Sequence, residues 1–367
     1  MPLTAPLCTR RGALRALVGA GVGGLFAAGG EAASGAYGAS GVAKPAGAAG
    51  AAGAAASEAG TGSRVLWTPL QHRGRDYLPL DQVGRFYGFG AVQRSGNGFV
   101  LGAGNRSLRG QADSPDFHIS RIKFVLSYPV AELGGILCLS RVDLVKLLEP
   151  VLRPSKIEGA ARVNTVVLDP GHGGMDRGAL GRLGDEKSFT LDVSLRAAEM
   201  LRRSGYKVLL TRAVDEFISL EDRVKFARRF PSALFVSVHF NAGGAGTGVE
   251  TYAMSPRGVP SMSSEGSHLP ESHEYPGNIR DPENAALATA MHAALVARSG
   301  MFDRGIKRAR FYVLREASMP GVLLEAGFLS NSEDMLRIAQ PSYRQQVAGS
   351  IVEAVGTYRR AVGGPSV

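Results

Sequence analysis

Apolar and polar positions alternate in three different ways along this chain, and each way predicts a different kind of structure. Residues 16–28 form one apolar, glycine-rich run behind Arg10 and Arg11. The stretch that follows, to residue 62, is almost wholly Ala, Gly and Ser, a composition that buries nothing and behaves as a flexible linker. Between residues 64 and 153, short alternations such as "GFVLGAG" and "IKFVLSYPVAELGGILCLS" are broken by turns. Helical spacing interrupts them twice, at Val83, Phe86 and Tyr87 after Pro79 and again over 142–148. A small α+β unit over residues 63–155 is the expectation. From Val163 the pattern becomes a regular exchange of strand-like and helical stretches, the mark of an α/β domain. The runs "TVVLDP", "YKVLLTR", "LFVSVHF", "GVETYAM", "FYVLR" and "GVLLEAGF" predict strands. Helices are predicted over 187–203, with Leu191, Leu195, Ala198 and Leu201 on the buried face, and after Ser219, which forms a capping box with Asp222. Two more are expected over 282–298 and from Pro341 onward. Residues 255–281, rich in Pro, Ser and Gly, read as a mobile loop near the site.

Charge and cysteine content narrow the setting. Lys and Arg number 42 against 32 acidic residues, a net +10 that favours polyanionic surroundings such as nucleic acid, anionic lipid or an anionic cell wall. The basic residues are dispersed and no nucleic-acid motif is present, so no nucleic-acid partner is expected. The two cysteines, Cys8 and Cys138, cannot build a disulfide framework if Cys8 leaves with a leader. Residues 1–33 read as such a leader, and the paired arginines before a weakly apolar core resemble a twin-arginine export signal. Residues 34–62 then form the linker. No other run reaches spanning length, so the mature chain is expected to lack an integral membrane span and to work in the periplasm or cell envelope.

The stretch "VVLDPGHGGMDRGALG" holds the chemistry. A phosphate-binding loop is the natural rival reading, but the segment supplies neither G-x-G-x-x-G nor Gly-Lys-Ser/Thr. His172 instead ends one strand, His239 ends "LFVSVHF", and Glu186 stands just before a helix. Two histidines and a carboxylate with an open fourth position make a catalytic zinc shell. Glu325 closes the apolar run "PGVLLEAGF", where an unpaired acid is expensive to bury, and it fits the base that a metal-activated water requires. Asn241 and Arg310 are candidate contacts to those ligands or to substrate. These residues by themselves reach as far as a zinc hydrolase.

The ordered segments "LDPGHGGMDRGALG", "EKSFTLDVSL", "LTRAVDEFISLEDRV", "FVSVHFNA", "GVETYAM" and "PGVLLEAGFLSN" resemble the zinc-dependent N-acetylmuramoyl-L-alanine amidases typified by the cell-division amidases of Gram-negative bacteria. The resemblance implies a mixed sheet flanked by helices. Combined with the predicted strands, the expected fold is α/β, a mixed, mostly parallel six-stranded sheet with a small α+β N-terminal domain, and a catalytic domain over 163–362. It implies one Zn2+ held by His172, Glu186 and His239, with Glu325 as the catalytic glutamate. Peptidoglycan is the implied substrate, cut at the amide between the lactyl group of N-acetylmuramic acid and L-alanine, in wall remodelling or daughter-cell separation. Phe240 and the "ARRF" segment depart from the family pattern and bear on groove details. Some members carry an inhibitory helix that blocks the site until an activator binds, which makes a protein activator a candidate partner. The prolines and glycines of 255–281 argue against such a helix here. Residues 63–155 resemble the N-terminal repeat domain of copper amine oxidases, which reads as wall positioning or as a packed spacer. Two rivals stand beside the amidase reading: another zinc hydrolase of stem peptides, and a non-catalytic wall-binding protein.

Overall fold

Backbone pairing begins with short strands that turn back on themselves. In chain order they are β1 (Leu70–His72), β2 (Arg75–Pro79), β3 (Gln93–Ser95), β4 (Gly98–Ala103) and β5 (Arg106–Gln111). Then follow β6 (Asp116–Ile119), β7 (Ile122–Val125), β8 (Ala131–Leu133) and β9 (Ile136–Ser140). This computed structural model describes residues 66–160 and 163–363, so the expected export signal and linker lie outside the described residues. Strands β1, β2, β9 and β8 form an antiparallel sheet in that order, while β3 to β7 form an antiparallel meander. The helix Leu80–Tyr87 follows Pro79, as its spacing predicts, and ends on left-handed Gly88. After Ser140, whose side chain caps the Asp143 N–H, the helical segment Arg141–Asp143 continues through a π-helical turn, Leu144–Leu148.

The alternating region supplies β10 (Thr165–Pro170), the small hairpin β11 (Leu180–Gly181) and β12 (Gly184–Asp185), and β13 (Lys207–Leu210). It continues with β14 (Leu234–Asn241), β15 (Val249–Met254), β16 (Asp303–Ala309) and β17 (Gly321–Phe328). Their order across the sheet is β13-β10-β14-β17-β15-β16, parallel at every junction except β15 with β17. This is the expected mixed, mostly parallel sheet. Beyond β16 the sheet does not stop, because β7 pairs with it in parallel at Phe124 and Ile306 and the meander extends it to eleven strands.

Both faces of the parallel part are covered, which is why β10, β14 and β17 are mostly apolar. Val166 and Leu168 of β10, with Val236 and Val238 of β14, join the core beneath the helices Glu186–Arg203, Asp281–Ser299 and Pro341–Val362. Val167 and Phe235 point the other way, towards Val224 of the helix Leu220–Arg228 and Val313 of the short helix Tyr312–Glu316. Each fully buried valine or leucine contributes roughly 1.5–3 kcal/mol relative to exposure. No helix among the described residues is long and apolar enough to cross a membrane.

Three expectations need correction. The run "FYVLR" is not a strand: its residues enter the helix Tyr312–Glu316, and the sixth strand is β16, whose polar sequence hides it. Its Arg304 and Lys307 are satisfied by the buried Glu250 of β15, so charge is tolerated in mid-sheet. On the helix Glu186–Arg203 the expected Ala198 and Leu201 are buried, but Leu195 is exposed and Leu191 only half-buried, and the buried face is completed by Phe189, Val193 and Ala197. Polar Thr190 and Ser194 extend that stripe, which displaced the apolar face read from the leucines alone. The segment 255–281 is tied down instead of loose: Met262 N–H donates to Arg308 O, Ser261 Oγ accepts from Arg310 N–H, and Asn278 donates to Ser255 O. It contains the 3-10 turn Pro276–Arg280 and no α-helix, in keeping with its prolines and glycines.

Candidate metal centre and cleft

The site forms where neighbouring strands end together. Pro170 closes β10 and the chain turns sharply, placing His172 in the left-handed region at φ 60°. His239 lies near the end of β14, and Glu325 stands directly opposite it on β17 in the parallel register. Glu186 opens its helix after the β11–β12 hairpin. These four side chains share one cleft of about 510 Å³.

Three of them converge closely enough for a single ion. Ligand atoms of His172, Glu186 and His239 all lie within 4.8 Å of one another. His172 Nε2 stands 3.1 Å from Glu186 Oε2, and His239 Nδ1 stands 2.9 Å from Glu186 Oε1. Backbone N–H groups of Ala179 and Phe240 donate to the two Glu186 oxygens at 2.8 and 3.1 Å, fixing the carboxylate. Burial works against its charge, yet the bonds from both imidazoles outweigh burial and hold the Glu186 carboxyl well below the ordinary range. For His172 burial again opposes charge, while Glu186 and Asp176 together raise the imidazole above its usual pKa. Nitrogen and oxygen donors in this ratio, with room left for a fourth partner, fit zinc.

Two glycines make the convergence physically possible. A Cβ at Gly171 would come within 2.3 Å of the His239 ring. At Gly178 it would come within 2.6 Å of both Glu186 Oε2 and the His172 ring, and Gly178 also takes a φ of 65°. The glycine-rich turn therefore makes space for imidazoles, not phosphate.

Glu325 faces this cluster without an ally. Its Oε2 is buried and has no hydrogen-bond partner among the described residues. Burial first, then the charges of Glu186 and Glu250, push its pKa well up, and Lys307 opposes them only in part. A carboxyl kept ready to hold a proton beside a cation site suits general-base work.

Several supports escaped the sequence reading. Asp176 Oδ2 meets His172 Nδ1 at 2.8 Å, orienting the ring so that Nε2 faces Glu186. The buried Arg223 donates to Asp169 Oδ1 and to the carbonyls of Pro170 and His172 at 2.6–2.7 Å. Arg212 donates to Gly171 O and Lys187 O, so two arginines clamp the turn on which His172 sits. Asp176, four residues after His172, left a faint signal in its spacing. The arginines left none, because an arginine in sequence reads as a surface residue.

Asn241 lines the cleft and accepts from Ala242 N–H through Oδ1. Arg310 does not line it: the buried guanidinium donates to Val259 O at 2.6 Å and so holds the segment 255–281 in place. Phe240 is buried, edge-on to Phe189 at 6.1 Å.

Comparison with known proteins places the fold and cleft in context. The family model described as N-acetylmuramoyl-L-alanine amidase matches residues 166–357, just over half of the chain. The amidase AmiA of Escherichia coli is 31% identical over 228 residues, covering 56% of this chain and 78% of AmiA. LytC of Bacillus subtilis, another N-acetylmuramoyl-L-alanine amidase, is 33% identical over 198 residues, 53% of this chain, which spans 36% of LytC's length. The catalytic domain of CwlV from Bacillus (Paenibacillus) polymyxa is 33% identical, with 53% of this chain and 98% of that domain aligned at a TM-score of 0.45. The family model over half of the chain and the AmiA match give one assignment: the chain belongs to the N-acetylmuramoyl-L-alanine amidase family.

Proposed function

We propose that this chain is a zinc-dependent peptidoglycan amidase in which His172, Glu186 and His239 hold the metal and Glu325 moves the proton. It cleaves the amide between the lactyl group of N-acetylmuramic acid and the first L-alanine of the stem peptide. The observation that carries the reading is the buried, unpartnered Glu325 oxygen beside a three-donor cluster. Bound zinc supplies Lewis acidity, polarising the scissile carbonyl and making water acidic enough to attack near neutral pH. Glu325 accepts the proton released as water adds to the carbonyl carbon. It then returns that proton to the alanine nitrogen as the C–N bond breaks, leaving a lactyl carboxylic acid and a free amino terminus. Asp176 keeps His172 in the orientation this requires, and Arg212 and Arg223 keep the turn in place. The leader over residues 1–33 exports the chain to the envelope where this substrate lies, and residues 63–155 with 163–362 form the two expected units.

Digestion of purified peptidoglycan tests the reading. New amino-terminal L-alanine on released peptides, with intact glycan strands and about one zinc per chain, is the expected result, and a chelator stops the release. Cuts inside the stem peptide, or undiminished release from metal-free protein, would overturn it.

A further inference from the structure

The amidase cleft has a charge that the chain as a whole does not. In a protein of net charge +10, the side chains lining it include Asp169, Asp176, Glu186, Glu265 and Glu325. Among the described residues the lining holds a single Lys or Arg, Arg223, and its donors are engaged by Asp169 and by the carbonyls of Pro170, His172 and Ile218. A zinc ion held by His172, Glu186 and His239 would offset the charge of its own carboxylate ligand. Glu265 is different: it comes from the segment 255–281, on the wall formed with Phe311 and Tyr312.

Its position is built, although its side chain is exposed. Ser261 Oγ donates to Glu265 O at 3.1 Å, and Glu265 N–H donates to Ser263 Oγ at 3.3 Å. Gly266 follows at φ 71°, where a Cβ would come within 2.6 Å of Arg310 O, so the turn packs directly on the strand end. Tyr312 N–H donates to Glu265 Oε1 at 2.9 Å, anchoring one carboxylate oxygen, and among the described residues the other accepts no hydrogen bond. A fixed carboxylate beside two aromatic side chains is a receptor for an ammonium group, which gains from both the charge and the ring faces. One face of the Tyr312 ring is already taken by the Arg315 guanidinium, its carbon 4.9 Å from the ring centre, so it is the Glu265 charge that carries the selectivity.

We propose that Glu265 is a specificity-determining residue of the cleft, selecting stem peptides that present a free ammonium group on their diamino acid. The proposal rests on the amidase reading. In peptidoglycan that amine is cationic when free and loses its charge when acylated in a cross-link. The enzyme therefore disfavours stems whose diamino acid amine has been acylated in a cross-link, and its substrate is best supplied by reactions that free that amine.

The test compares two soluble N-acetylmuramoyl peptides that differ only in whether the diamino acid side chain is free or N-acetylated. The wild-type holoenzyme is expected to cleave the free-amine peptide with a kcat/KM roughly tenfold higher. Glu265→Gln keeps an oxygen for the Tyr312 N–H and removes only the charge, and it should bring the ratio close to one. Glu265→Lys should reverse it. Equal rates for both peptides with wild-type enzyme, or a preference that survives Glu265→Gln, would overturn the proposal. If neither peptide were cut at the lactyl amide, the amidase reading itself would fail, a result distinct from both.

Discussion

At Glu325 a carboxyl oxygen closed off from solvent feels the charge of two other acids, Glu186 and Glu250, and on the proposed reading that crowding readies the group to take a proton. Glu325→Gln keeps the shape and removes the base, so kcat should fall by roughly 10²–10⁴-fold. Zinc measured on the same sample should stay at wild-type stoichiometry; loss of the metal would reassign Glu325 as a ligand. Asp176 acts one step further out. Asp176→Asn should weaken zinc binding roughly 10–100-fold in a chelator competition, with the folded state retained. An unchanged affinity would show that His172 needs no orienting partner. All four candidate residues could be named from the sequence because His172, His239 and Glu325 each stand at or near the end of an apolar run and Glu186 opens a helix, and the structure brings them into one cleft. Asp176 left only its spacing from His172 as a signal inside the glycine turn. Arg212 and Arg223 were hidden by composition, since only the fold shows that both are buried against backbone carbonyls.

For elements, the decisive one is β10 with the turn that follows it. Asp169 near its end is fully buried and accepts from Thr211 Oγ1 at 2.6 Å, Ser237 Oγ at 2.8 Å and Arg223 at 2.7 Å. Burial pulls its pKa up, but the Arg223 charge and these bonds win and depress it below the ordinary 3.8. A depressed folded-state pKa stabilises the protein fully above the unfolded value, and that share is lost as pH falls through the folded one. Asp169→Asn should therefore cost roughly 3–5 kcal/mol near neutral pH by leaving Arg223 uncompensated, and should flatten the acid side of a stability profile. Urea midpoints from neutral to acid pH check both, and a variant with the wild-type slope would exclude Asp169 as the titrating group. Strand β16 shows where element reading fails. "DRGIKRA" looks like surface because its charges are obvious, yet Arg304 and Lys307 find Glu250 across the strand pair. "FYVLR" looks like a strand because it is apolar, but Glu265 accepts the Tyr312 N–H at the first residue of a short helix.

Across the whole molecule, the early strands and the alternating region share polar contacts as well as a sheet. Asp143 accepts from Ser127 and Tyr128 on one side and from the buried Arg308 on the other. Lys123 N–H donates to Asp303 at 3.1 Å, and Lys146 pairs with the buried Asp281 at 3.0 Å. Asp143→Ala should destabilise the molecule by about 3–5 kcal/mol, because Arg308 would keep its charge and lose its partner. Calorimetry should find one transition for the described chain, before and after the substitution; two resolved transitions would mean the halves fold independently. The sequence separated these regions by pattern, and nothing in it announced the pairing of Phe124 with Ile306, since a seam between strands distant in sequence leaves no periodic trace. That seam decides how the protein can use its front part. A ladder of main-chain bonds runs from β3 to β13, so the meander β3–β7 is joined to the cleft strands through one sheet. Anything that docked on the meander would therefore be placed relative to the cleft by backbone pairing instead of by a tether.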